Sequence, residues 1–170
     1  MNRTKKIALC GILAALALAL SLFENLIPLQ AVLPLPGIKL GLANIITLMA
    51  LYLMGGKWAA AVLFCRIAAL YLATGNLTSL AMSLTGGCAA LIAMLLAYRF
   101  RRSFFSIYGV SILGAAMHNV GQIAMASLLM RSLYTFYYLP VLLILSLFTG
   151  FLIAFITDIS LPKLKSAVFS

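Results

Sequence analysis

Glu24, Lys39, Arg66 and His118 are the side chains of this sequence best equipped for chemistry, and Asn25, Asn44, Asn119, Gln122 and Tyr138 could assist them. Glu24 is one of only two acidic residues, the other being Asp158. A DDxxD-type pair of aspartates that holds magnesium and a diphosphate therefore cannot form. No GxxxxGK[ST] loop is present to bind ATP, and there is no HExxH, GxSxG or Cys/His cluster. These absences argue against an enzyme, a metal site or a bound cofactor. What remains is the inventory of a binding site.

The elements that must position these groups are set by an oily composition. Of 170 residues, 65% are hydrophobic and 8% charged. A soluble domain of this size needs more charge to cover its surface. The long apolar runs point to an all-α bundle of membrane-spanning helices forming one domain over residues 1–170. A membrane β-barrel would instead show short alternating segments. The net charge of +10 is spread singly or in small groups at the ends of apolar runs. That is how helices are oriented during insertion, rather than how nucleic acid is bound. Cys10, Cys65 and Cys88 lie inside apolar runs without CxxC or metal spacing and read as buried free thiols.

Six spans are expected: Ile7 to about Ile27, Gly41 to Met54, Trp58 to Thr74, Leu77 to Tyr98, Phe105 to Met130, and Phe136 to Ile159. The first reads as a retained span rather than a cleaved signal, because its apolar region is too long and no A-x-A site follows. Six spans put both termini on one side, together with Arg3, Lys5, Lys6, Lys57, Arg99, Arg101, Arg102, Lys163 and Lys165. The positive-inside rule makes that side cytoplasmic, leaving Lys39 and Arg131 opposite. The longest interruption, Glu24 to Thr47, carries Pro28, Pro34 and Pro36 and must be irregular or extended in its Leu-Pro-Leu-Pro-Gly part.

Depth decides which polar groups can meet. Glu24 stands roughly 27 Å above Lys6, and His118, Asn119 and Gln122 roughly 20–26 Å along the fifth span, at 1.5 Å per residue. Asn44 and Thr47 sit just below the loop. All share the outer half of the membrane, and spacings of three and four bring His118, Asn119 and Gln122 to one side of a helix. The sequence therefore outlines a pocket lined by Glu24, Asn25, Asn44, His118, Asn119 and Gln122. Lys39 and the Pro-Gly loop form its lid, and Tyr134, Tyr137 and Tyr138 its rim. The competing reading is that these groups only hydrogen-bond between helices. Arg66 falls near mid-membrane, where a charge costs about 3 kcal/mol on insertion scales. It lies about 13 Å in depth from Glu24, so whether it braces the bundle or meets an anionic ligand stays open. Gly11, Ala15 and Ala19 repeat every four residues on one face of the first span, where another helix could approach closely.

The strings ENLIP, PLPGIKLGLANIITLMALYLMG, SLTGG, GVSILGAAMHNVGQ and FYYLPVLL resemble the bacterial membrane family called heptaprenyl diphosphate synthase component I, or Gx transporter. The resemblance runs from about Ile7 to Ile156. It implies an association with isoprenoid or quinone metabolism. The layout is also similar to the S components of energy-coupling factor transporters, small six-helix subunits. That likeness implies substrate binding near the outer side, under the loop joining helices one and two. It also implies a coupling partner on a small-residue face, here Gly11, Ala15 and Ala19. The expectation is a multi-pass protein of the bacterial cell (inner) membrane that binds a small, partly apolar molecule. An energy-coupling module, a transmembrane subunit plus ATPases, would drive its transport. The alternative is a non-catalytic membrane component of a polyprenyl diphosphate synthase.

Overall fold

The computed structural model describes residues 2–27, 38–100 and 105–169. Among them the chain is helical throughout: α1 (Arg3–Asn25), α2 (Asn44–Met54), α3 (Gly56–Thr74), α4 (Leu77–Arg99), α5 (Ile107–Met130), a 3-10 turn (Leu133–Tyr138) and α6 (Leu139–Phe169). The expected all-α membrane bundle of six helices is what forms. Five of the segments are long and apolar enough to cross a membrane. Their outward surfaces carry Ile12, Leu16, Phe64, Leu72, Leu96, Leu128, Phe148 and Phe151, all exposed, as lipid-facing side chains should be.

Local chemistry ends each helix where it must. Gly75 closes α3 in the left-handed conformation, and Asn76 then caps α4 by accepting from Ser79 N at 2.9 Å. Ser106 caps α5, so that helix begins at Ile107, two residues later than expected. Gly55, at φ 91°, is the single residue between α2 and α3. A side chain there would strain the turn.

Both boundaries of the last span also differ from the sequence expectation. The last helix does not start at Phe136, because Leu133–Tyr138 winds into a 3-10 turn capped by the Ser132 hydroxyl. Nor does it stop at Ile159. It continues through Pro162, because Leu161 is buried and Leu164 packs against the main core. Cys10 is buried as expected, whereas Cys65 is exposed.

The organising element is α2. Residues Asn44 to Leu51 are buried without a break, so this helix has no outward face. It packs against α1, α3 and α6, and more lightly against α4. At eleven residues it spans roughly 16 Å, about half the hydrocarbon thickness. The segment leading into it, residues 38–43, is non-helical and mostly buried in protein. Buried irregular backbone is tolerated only when protein groups satisfy it.

Around α2 the remaining helices form two pairings that matter for the site. The most extensive is α4 on α5, where a Cβ on Gly121 would sit 2.7 Å from the Thr85 carbonyl oxygen. Next is α5 on α6, where Ser111 Oγ donates to the Gly150 carbonyl at 2.7 Å. Small residues let these backbones approach. The large apolar core runs through Leu13, Leu48, Leu51, Leu63, Met94, Val110 and Ile153. A smaller one gathers Ile38, Met82, Ile123, Ala126 and Leu142 at the loop end of the bundle.

Candidate functional site

Between those two cores lies a layer of buried polar groups. Its first part is a set of side chains that hold the 38–43 backbone in place. Glu24, at the end of α1, accepts at Oε1 from Gly41 N (2.5 Å) and Leu42 N (3.4 Å). Gln122 on α5 accepts at Oε1 from Lys39 N at 3.3 Å. Gly41 has φ 82°, and a Cβ there would meet Asn44 Nδ2 and His118 Cδ2, both at 3.0 Å. Only glycine fits this left-handed, crowded position.

The second part is a polar stripe on α4. Lys39 Nζ donates to Ser79 Oγ at 2.8 Å and to Ser83 Oγ at 3.1 Å. One turn further along, Gly86 leaves room for His118 and Gln122, whose side-chain atoms lie 2.9 Å from where its Cβ would be. At Gly87 a Cβ would stand 3.4 Å from Arg66 Nη2. Ser83 lies four residues after Ser79, and Gly86 and Gly87 lie three and four after Ser83, which puts them along one side of the helix. Arg66 reaches up from α3, and its Nη1 donates to Ser21 Oγ at 3.3 Å, less than one turn before Glu24. The long side chain thus closes much of the depth gap that separates the two backbones.

Glu24, Lys39, Asn44, Arg66, His118 and Gln122 are accordingly gathered in one buried cluster. The other expected site residues are placed differently. Asn119 is buried beside it but donates from Nδ2 to the Leu142 carbonyl at 2.8 Å, tying α5 to α6. Tyr138 is half-buried against the smaller apolar core. Asn25 is exposed at the end of α1. Tyr134 and Tyr137 are exposed and stacked on each other at 6.0 Å. Gly11, Ala15 and Ala19 are exposed along α1. Pro28, Pro34, Pro36 and Gly37, the bulk of the expected lid, lie outside the described residues.

The cluster is notable for what it leaves unpaired. Buried side-chain atoms without a hydrogen-bond partner include both amide atoms of Asn44, Thr47 Oγ1, Arg66 Nε and Nη2, and Gln122 Nε2. Neither ring nitrogen of His118 has a partner in hydrogen-bonding geometry, although the Gly86 backbone lies alongside. Buried polar atoms are normally satisfied, and leaving one unpaired costs about 1–3 kcal/mol. Here such atoms are concentrated in one cluster. Beside the cluster is a crevice of about 10 Å³, room for roughly one water, lined by Ile38, Lys39, Leu40, Asn119, Leu142, Leu145 and Thr149.

Sequence reasoning missed Ser21, Ser79, Ser83, Gly86 and Gly87. The signal for the last four was present in their spacing on α4. Among the described residues no group of three or more His, Cys, Asp or Glu side chains could hold a metal ion.

Residues 13–159 match the family described as heptaprenyl diphosphate synthase component I, and the chain belongs to that family. No curated protein and no solved structure matches the chain.

Proposed function

We propose, from this family membership and the geometry of the cluster, that the protein is a substrate-binding membrane subunit. It captures a small, partly apolar molecule at the loop end of the bundle, which faces the outside of the bacterial inner membrane. The observation that carries this reading is the concentration of buried, unpaired polar atoms on Asn44, Thr47, Arg66, His118 and Gln122. Groups that served only as glue between helices would have found partners, as Ser111 and Asn119 have on the Gly150 and Leu142 carbonyls.

The chain's basic residues favour this orientation, since Lys57, Arg99, Lys163 and Lys165 follow or precede spans at the opposite end. Binding draws the 38–43 backbone, pinned by Glu24 and Gln122, over the ligand. Release then requires a partner that changes the relative stability of the closed and open bundles. No energy source is recognisable in the sequence, so an energy-coupling module with ATPases is the partner for transport. The exposed Gly11, Ala15 and Ala19 face of α1 offers it a close approach.

The second reading is a non-catalytic membrane component of a heptaprenyl diphosphate synthase, which the family's description favours. Native mass spectrometry of the protein gently released from its own membrane separates the two. A bound metabolite together with an ATPase module supports the transport reading. A soluble prenyl synthase in the complex, with no metabolite, overturns it.

A further inference from the structure

The unpaired groups are not an even mixture of donors and acceptors. Arg66 Nε and Nη2, Asn44 Nδ2 and Gln122 Nε2 all carry N–H donors, whereas outside the imidazole Asn44 Oδ1 alone can only accept, and the hydroxyls of Thr47 and Thr149 can act either way. Lys39 adds a third donor position, because its ammonium has three N–H groups and uses two on the hydroxyls of Ser79 and Ser83.

The charge balance leans the same way. Lys39 and Arg66 are both buried, and Glu24 is the one acid in the cluster. Its Oε1 is occupied by the Gly41 and Leu42 backbone N–H groups. One positive charge is thus left over in a water-poor site, where an uncompensated ion is costly.

The free edge of Arg66 sharpens this further. Nη1 is taken by Ser21, leaving Nε and Nη2, which share one side of the planar guanidinium. That edge presents two parallel N–H groups, the fork that matches two oxygens of a carboxylate or phosphate. A carbonyl or a water would use only half of it.

We infer that the ligand carries an oxyanion head group, seated on the Nε/Nη2 edge of Arg66 and completed by Lys39, Asn44 and Gln122, with an apolar body directed into the crevice between Ile38, Leu40, Leu142 and Leu145. Lys39 belongs to both the polar cluster and the crevice, so it marks where head and body join. The inference rests on the binding-subunit reading and names the chemical class of its ligand. Carboxylate and phosphate heads share the required geometry.

The test uses three probes of equal chain length, octanoate, octyl phosphate and octanol, with the full-length protein in lipid nanodiscs. Binding is followed by calorimetry against empty nanodiscs. The expected result is saturable binding of octanoate or octyl phosphate and none of octanol, and whichever anion binds names the head group. Arg66→Lys, which keeps the charge and loses the fork, should weaken that binding about ten-fold or more, the factor expected for one charge-assisted hydrogen bond. If Arg66→Lys does not fold, Lys39→Gln, outside the helices, serves for the same comparison and should weaken binding similarly. Equal binding of octanol, or unchanged affinity in the folded variant, overturns the oxyanion inference and leaves the binding-subunit reading standing. Absence of binding by all three probes overturns the inference. If the protein released from its own membrane also carries no metabolite, the binding-subunit reading fails with it.

Discussion

The main apolar core of this bundle and its polar layer are about equally buried and chemically opposite. Toward the basic end, Leu13, Leu48, Leu51, Leu63, Met94 and Ile153 fill the interior with apolar side chains that are 2% exposed or less. Toward the loop end, Asn44, Thr47, Arg66, His118 and Gln122 are buried just as deeply, yet keep polar atoms without partners. The first region is explained by packing alone. The second lowers the stability of the free protein, and a bound partner is what would repay that cost. On the proposed reading, the contrast separates residues that make the fold from residues that bind a ligand.

Substitutions can break this contrast most visibly in the apolar half. Leu48→Ala removes a fully buried side chain of α2 and should cost about 2–5 kcal/mol, read from the midpoint of thermal unfolding in mild detergent. A close backbone contact behaves in the same way. Gly121→Ala pushes a Cβ against the Thr85 carbonyl, which cannot yield, and should cost about 1–3 kcal/mol. Gly86→Ala should be milder for folding, because its Cβ meets the side chains of Gln122 and His118. It should nonetheless abolish ligand binding. The two glycines face each other across the α4–α5 contact, so equal losses of stability in the two variants would show that Gly86, too, serves packing alone.

The polar half should respond with the opposite sign. Thr47→Val keeps the shape and removes an unpaired buried hydroxyl, so unfolding stability should rise by about 1 kcal/mol. A fall of that size would mean that the hydroxyl has a partner in the folded bundle and that this layer is glue.

The smallest effect is a pH profile. Burial pushes the Lys39 ammonium down to about 8, with Glu24 opposing and Arg66 reinforcing the shift; His118 is the remaining titratable neighbour. A depressed value means that Lys39 loses its charge as pH rises through about 8. Binding of an anionic ligand should therefore weaken between pH 7 and 9, by at most about ten-fold per pH unit above the midpoint. Lys39→Arg should flatten that profile, and a wild-type affinity constant over this range would remove Lys39 from the site.

Much of this was legible before the structure, and the reason differs by region. Long apolar runs ended by basic residues define the helices, because nothing but a lipid-embedded bundle accommodates them. The grouping of Glu24, Asn44, His118 and Gln122 followed from counting rise along straight helices, and Lys39 was set over them as part of the loop. Arg66 did not, because backbone depth ignores the reach of its side chain toward Ser21. Ser79, Ser83, Gly86 and Gly87 were passed over because small residues in a span read as packing, and here they also leave room for larger polar neighbours. Asn25 was grouped with Glu24 by adjacency, although neighbouring helical positions point about 100° apart and only Glu24 turns inward. The 3-10 turn at Leu133–Tyr138 depends on the Ser132 cap, which apolar patterning does not reveal.

The central claim is that the unpaired layer exists to bind a small molecule. Native mass spectrometry of the wild type and of His118→Leu, each released from the same membrane, tests it most directly. The wild type should carry a discrete small-molecule mass that is missing from a folded His118→Leu protein. The same mass on both proteins, or a bare wild type, would contradict it.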